Sequence, residues 1–219
     1  MKQFEEFLQG EGDNWFRRNI SKMEMVTEFP DTLEIVRSFH WANPQTLNPK
    51  ILEVGSGSGH RLYKLCKELS GSGFGIDPSV EAIKYANDRF SDKLEVGYLT
   101  YQVGTSDSLP FEDSHFDIVY LSFCLYLIDR DLVSITIKEA CRVLRSGGLI
   151  AIRDFDVKVP VANNYIHKSG VLSFKEDYLH YFDKNAYFLI SKIPFKEDGD
   201  LGFELEEDKR VALWILYKP

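Results

Sequence analysis

Residues 50–65, KILEVGSGSGHRLYKL, place a short apolar run directly before glycines at 55, 57 and 59, followed by a helical pattern. A buried strand that enters a helix through such a turn brings backbone close to a bound ligand and points to an α/β domain with parallel strands. The rest of the chain repeats the unit. HRLYKLCKEL reads as a helix ending at SGSG, GFGID as a second strand, and PSVEAIKYANDRF as a helix with Pro78 and Ser79 in its first turn. LTYQVGT and FDIVYLSF are the third and fourth strands. DLVSITIKEACRVL is a helix that Gly147 and Gly148 should stop, before LIAIRDF as the fifth strand. YFLISKIPF and RVALWILYK follow with only the acidic stretch KEDGDLGFELEEDK between them, a link that suits antiparallel neighbours.

The spacing of the glycines constrains the ligand. A dinucleotide turn is G-x-G-x-x-G, its third glycine allowing the helix to pack closely on the strand. Here the third glycine comes one residue early, and His60 occupies the expected place, where a ring should obstruct that packing. Glu53 lies inside the first strand, two residues before Gly55. The second strand ends in Asp77, eighteen residues beyond Gly59, where a carboxylate can accept both hydroxyls of a ribose. Sugar recognition of this kind also occurs in NAD sites, and Asp77 is equally placed to cap the helix that follows Pro78.

LEVGSGSG resembles the first motif of the class I S-adenosylmethionine-dependent methyltransferases, of the type 11/12-like group. Three later segments resemble the same family in order. Asp77 stands at the ribose position, GTSDSLPFEDSHFDIVYLSF matches the loop after strand three and strand four, and EACRVLRSGGLIAIRDF matches the approach to strand five, with Ser146 where proline is usual. The resemblance covers about residues 50–156. It implies a Rossmann-like three-layer αβα sandwich whose seven-stranded, mostly parallel sheet has an antiparallel last strand. It also implies S-adenosyl-L-methionine as cofactor. Carried over position by position, Glu53, Gly55, Ser56, Gly57 and Gly59 form the turn around the amino-acid end and sugar, with Asp77 and Pro78 at the ribose. Ser106 and Asp107 meet the adenine, with Leu109 and Phe111 packing beneath, and Leu121 and Ser122 close the cofactor side. Many family members have an acid where this chain has Thr105, which puts the adenine contact of Asp107 in question.

The acceptor is less constrained. The segment LSFCLYLID after strand four lacks the Pro-Pro pair of adenine- and glutamine-directed methyltransferases. In the family, an N-terminal cap and an insert after strand five select the acceptor. Here residues 1–45 form the expected helical cap, residues 46–219 the methyltransferase domain, and about 155–182 the insert. The cap stretch EGDNWFRRNI offers Trp15, Arg18 and Asn19, and Tyr126 and Tyr165 offer walls. Asp154 lies at the carboxyl end of strand five, where α/β enzymes place reacting groups, and His167 carries the side-chain type most used as a general base. EGDNWFRRN, YIHKSGVLSFKEDY and VALWILYK also resemble bacterial methyltransferases associated with polysaccharide and nonulosonic-sugar biosynthesis, which implies a sugar or nucleotide-sugar acceptor.

Composition narrows the partners. A formal net charge of −8 argues against nucleic acid, which needs clustered Lys and Arg. No run approaches the length of a membrane span, and the acidic N-terminal stretch does not read as a signal peptide. Three scattered cysteines, Cys66, Cys124 and Cys141, match neither a zinc site nor a disulfide framework, so reduced thiols in a cytoplasmic monomer or homodimer, with no metal, are expected. Two other classes stay open: an NAD-dependent oxidoreductase, and a cofactor-binding protein that works through a protein partner without catalysis.

Overall fold

The computed structural model describes residues 2–93, 97–196 and 202–219; residues 197–201 of the acidic stretch lie outside them. The chain begins with a short helix α1 (Gln3–Glu6), a kinked turn at Gly10, α2 (Gly12–Met25) and α3 (Pro30–Ala42). Strands and helices then alternate: β1 (Lys50–Val54), α4 (His60–Leu69), β2 (Ser72–Asp77), α5 (Val80–Phe90), β3 (Leu99–Val103), β4 (Phe116–Ser122), α6 (Arg130–Val143) and β5 (Leu144–Phe155). A hairpin of β6 (Val161–Asn164) and β7 (Leu172–Lys175) precedes β8 (Phe188–Phe195) and β9 (Val211–Tyr217).

The main sheet runs β3-β2-β1-β4-β5-β9-β8. β1 to β5 pair in parallel, and β9 is antiparallel to both β5 and β8. This is the Rossmann-like arrangement expected, with the antiparallel pair at one edge. Strand order reverses between β1 and β4, and the crevice at the carboxyl ends of such strands is where α/β folds bind ligands.

Each face of the sheet has its own core. Ile35 and Phe39 of α3, Leu62 and Leu65 of α4, and Ile83 and Ala86 of α5 cover one face. Val133, Ile137, Ala140 and Val143 of α6 cover the other, with Tyr178, Phe182 and Trp214. Each fully buried Leu, Ile or Phe stabilises by about 1.5–3 kcal/mol. Since Ile35 and Phe39 are fully buried, α3 is part of the main core. α1 and α2, by contrast, contribute Phe4, Trp15, Asn19 and Met23 to the lining of the crevice.

Three local details differ from the sequence reading. Ser79 is the N-cap of α5, its Oγ accepting from Ala82 N at 3.0 Å, and Pro78 lies just outside the helix. α6 ends at Val143 without help from the glycines; Leu144 is already extended and pairs with Phe116, while Gly147, at φ +79°, turns the chain inside the strand. His60 does not obstruct the helix. Its ring packs edge-on against Phe90 at 4.9 Å, and Gly59 provides the close approach instead. A Cβ at Gly59 would stand 2.9 Å from Ala86 Cβ and from the Tyr101 ring.

Candidate active site

A cavity of about 1190 Å³ opens at the carboxyl ends of β1, β2, β4 and β5. Pockets for a single drug-sized ligand occupy roughly 300–1,000 Å³, so this space suits two ligands side by side.

At one end the glycine turn is held by hydrogen bonds within the protein. Gly55 N and Ser56 N both donate to Ile76 O, and Gly59 N donates to Ser56 O. Gly57 N donates to Asp77 Oδ2 at 2.9 Å, and the other oxygen of Asp77 accepts from Ser79 N at 2.9 Å. Asp77 therefore braces the turn while still lining the cavity. Burial pushes its carboxyl up to about 6, against the two backbone bonds that favour the charged form. With these four N–H groups engaged inside the protein, the turn offers them to no pyrophosphate, the group a dinucleotide would seat there. Gly57, at φ +48°, lines the cavity, and an added Cβ would meet only Met23 Cε, at an ordinary contact distance of 3.6 Å.

Glu53 lies beneath this turn. It is buried, accepts from Leu62 N at 3.1 Å, and is pushed up to about 8 by burial despite the opposing charge of Arg61. The loop after β3 borders the same end. Thr105, Ser106 and Asp107 line the cavity with Pro78 and Ser122. Ser106 Oγ bonds Thr136 Oγ1 at 2.9 Å, and Arg142 holds the loop through the Leu109 and Phe111 carbonyls at 3.0 and 2.7 Å. Phe111 turns away from the cavity into an aromatic cluster with Phe74 and Phe116.

Some expected site residues serve elsewhere. Leu121 is fully buried between Val54 and Ile152 in the sheet, and its side chain belongs to the core. Gly59 lies outside the cavity lining and packs the start of α4 against α5 and β3. Asp154 also lies outside it. Its Oδ2 accepts from Leu125 N at 2.8 Å and Tyr126 N at 3.2 Å, and its Oδ1 from Phe155 N at 2.8 Å. This carboxylate positions the segment after β4, outside the cavity lining. Arg18 is likewise a strut, bonding Glu11 and the Tyr165 hydroxyl.

The other end of the cavity is aromatic. Phe123, Tyr126 and Phe155 contact one another with ring centroids 5.0–5.4 Å apart. Trp15 donates through Nε1 to the Tyr126 hydroxyl at 3.2 Å, and Asn19 Nδ2 donates to Trp15 O at 2.8 Å; both side chains line the cavity. The β6–β7 hairpin closes the rim with Tyr165 and His167, whose rings meet at 5.2 Å. Buried Gln3 ties the cap to this hairpin through Leu172 O and N at 2.8 and 2.9 Å. Asp13 ties it to α5 through the Ser79 hydroxyl and Glu81 N.

Sequence reading missed the ionic floor. Asp31 of α3 accepts from Arg61 Nε at 2.8 Å and from the Tyr120 hydroxyl at 2.7 Å, with Arg153 beside them. The available signal was an arginine inside the apolar strand LIAIRDF, since an unpaired charge is costly in a core. Its partner, 122 residues earlier in the chain, carries no local signature.

Comparison with known proteins identifies this layout. The methyltransferase domain family matches residues 52–152, which span the glycine turn, Asp77, the loop after β3 and most of β5. Residues 52–152 are thus similar to a methyltransferase domain. The ubiquinone/menaquinone biosynthesis C-methyltransferase UbiE of Vibrio parahaemolyticus is 28% identical over 71% of this chain and 64% of its own. UbiE of Francisella philomiragia is 27% identical over 48% of this chain and 42% of its own. Those matches thus span less than two thirds of either relative. Among solved structures, a Burkholderia thailandensis 1,6-didemethyltoxoflavin-N1-methyltransferase, with bound 1,6-didemethyltoxoflavin and S-adenosylhomocysteine, covers 98% of this chain and 86% of its own at TM-score 0.68. At 12% identity that likeness concerns the fold.

The residues present fit the cofactor of a methyltransferase domain. The cavity wall at Gly57, the acceptor-only Asp77 carboxylate and the polar loop at 105–107 suit an uncharged sugar and base, and four N–H groups of the turn are engaged within the protein. Among the described residues, no group of His, Cys, Asp and Glu is arranged to hold a metal ion, and no helix is long and apolar enough to cross a membrane.

Proposed function

We propose that this domain transfers the methyl group of S-adenosylmethionine to a small acceptor with a flat face, seated against Phe123, Tyr126 and Phe155. The carrying observation is that one cavity joins the Asp77-braced turn at one end to this aromatic wall at the other. When bound, the cofactor supplies a methyl carbon on a sulfonium, which a nucleophile displaces in line. The protein's contribution is then chiefly geometric. Asp77 holds the ribose hydroxyls, the 105–107 loop borders the base, and the aromatic wall with the α2 cap fixes the acceptor's approach and excludes water. His167, exposed on the hairpin and facing the cavity, is the candidate to take a proton from an acceptor that must lose one.

The relatives support a planar acceptor, since one acts in quinone biosynthesis and the fold neighbour holds a flat heterocycle. A sugar derivative is the second reading. Asn163 and Asn164 line the cavity beside Tyr165, and amides of this kind pair with hydroxyls. The test is titration with S-adenosylmethionine and, separately, NAD, followed by a screen for S-adenosylhomocysteine release over quinol, phenol, heterocycle and nucleotide-sugar acceptors. Cofactor binding with no turnover on any of these, together with capture of a protein partner, would favour a binding protein without catalysis.

A further inference from the structure

The floor of the acceptor end carries more positive charge than it neutralises. Arg61 and Arg153 both line the cavity, and Asp31 is the carboxylate set between them. That carboxylate is already committed, its Oδ2 taking bonds from Arg61 and the Tyr120 hydroxyl. Arg153 Nε stands 3.6 Å from the same oxygen, beyond hydrogen-bond reach. No hydrogen bond with another described residue meets the Arg153 guanidinium, although the residue is only 6% exposed. Glu53 offers little compensation, because burial holds it toward its protonated form.

A guanidinium this little exposed, held by an ion pair but met by no protein hydrogen bond, is costly, and a fold that keeps one at a cavity wall does so most simply where a ligand completes it. We infer that Arg153, backed by Arg61, forms a buried oxyanion site in the acceptor pocket, so that the methyl acceptor carries a carboxylate or an equivalent oxyanion. This rests on the methyl-transfer reading above. The planar guanidinium fork matches a carboxylate in two parallel bonds. Its surroundings favour the acceptor as the source of the anion. Arg153 lies over the Phe123 ring at 4.9 Å, and Lys175 Nζ stands 4.1 Å from the centre of the Phe155 ring. β5 is also separated from β2 and its ribose-binding Asp77 by two intervening strands. The cofactor's own carboxylate is the other source of the same chemistry.

The experiment is calorimetry on the full chain in two arms. S-adenosylhomocysteine is titrated into wild type, Arg153→Gln and Arg153→Lys. Then benzoate and glucuronate, with benzamide and glucose as neutral counterparts, are titrated into each protein saturated with S-adenosylhomocysteine. The expected result is that at least one anion binds at least tenfold more tightly than its neutral counterpart. Arg153→Gln should abolish that preference and Arg153→Lys retain part of it, with S-adenosylhomocysteine affinity within about twofold of wild type. A tenfold loss of S-adenosylhomocysteine affinity in Arg153→Gln, without anion preference in wild type, overturns the inference and assigns the site to the cofactor's carboxylate. Equal binding of anions and neutral compounds to wild type, or an anion preference that survives in Arg153→Gln, also overturns it. If Arg153→Gln does not fold, wild type and Arg153→Lys decide by the same criteria. Failure of wild type to bind S-adenosylhomocysteine at all removes the methyl-transfer reading itself, and this inference with it.

Discussion

The Asp77 carboxylate accepts the backbone N–H of Gly57 at 2.9 Å, so the residue that ends β2 braces the glycine turn that follows β1. One side chain thus braces the turn and presents a carboxylate to the cavity, the proposed ribose acceptor. Asp77→Ala should weaken S-adenosylhomocysteine binding by about 10–100-fold, through lost charge-assisted bonds worth roughly 1.5–3 kcal/mol each. Because burial raises its carboxyl to about 6, affinity should also fall as pH drops below that value, where protonation removes an acceptor. Calorimetry across pH checks both; unchanged affinity in the variant removes Asp77 from the site.

Gly57 and Gly59 separate binding from packing. Both have positive φ, so either alanine variant carries a backbone cost of about 1–2 kcal/mol. At Gly59 the new methyl also meets Ala86 and Tyr101 at 2.9 Å, a clash of the kind that adds about 1–3 kcal/mol. At Gly57 it meets only Met23 Cε, at an ordinary 3.6 Å, on the cavity wall. Gly59→Ala should therefore be much the less stable in urea, whereas Gly57→Ala should fold and lose cofactor affinity. A reversal of that order in paired unfolding and binding curves would contradict the cavity assignment.

Glu53 makes stability depend on pH in a direction that can be worked out. Its ordinary value is 4.5, and in the folded protein burial raises it to about 8. Between those values the folded state holds a proton that the unfolded chain has released, so stability from this group falls as pH rises through the window. Below it both states are protonated and the effect vanishes. Glu53→Gln, which cannot ionise, should gain stability relative to wild type steadily from about pH 4.5 to 8, by a few kcal/mol in all. Chemical denaturation of the two proteins at several pH values measures the difference, and parallel profiles would rule out the burial argument.

The α/β order of this chain was legible because each βα unit announces itself locally. LEVGSGSG, GFGID and the apolar core of each strand fixed the five parallel strands, and the short acidic link before RVALWILYK foretold the antiparallel edge. Boundaries that depend on tertiary packing were not legible: α6 stops where Leu144 pairs with Phe116, and α3 joins the core because Ile35 and Phe39 reach the sheet. At the site, Asp77, Ser106, Asp107, Trp15 and Tyr126, singled out by residue type and position, all line the same cavity. Asp154 was misread because position on a strand end does not reveal which way a carboxylate is bonded. The Asp31–Arg61–Arg153 floor was missed because it assembles from three distant segments.

Asp154 and His167 were both candidates for proton transfer, and their settings predict opposite behaviour. Asp154 is fully buried and spends its oxygens on the backbone of Leu125, Tyr126 and Phe155. Asp154→Ala leaves three buried N–H groups without partners, each costing about 1–3 kcal/mol, so it should lower the melting temperature sharply. Any loss of turnover should accompany displacement of the Tyr126 wall and be read mainly in acceptor KM. His167 is exposed at the cavity rim and bears no structural load, so His167→Gln should melt like wild type and bind S-adenosylhomocysteine equally well. If it accepts the acceptor's proton, kcat falls by about 10²–10⁴-fold with little change in KM. The decisive comparison is kcat for an acceptor that must lose a proton against one that is already nucleophilic. A drop confined to the former identifies His167 as the base, and an equal effect on both leaves it a wall of the pocket.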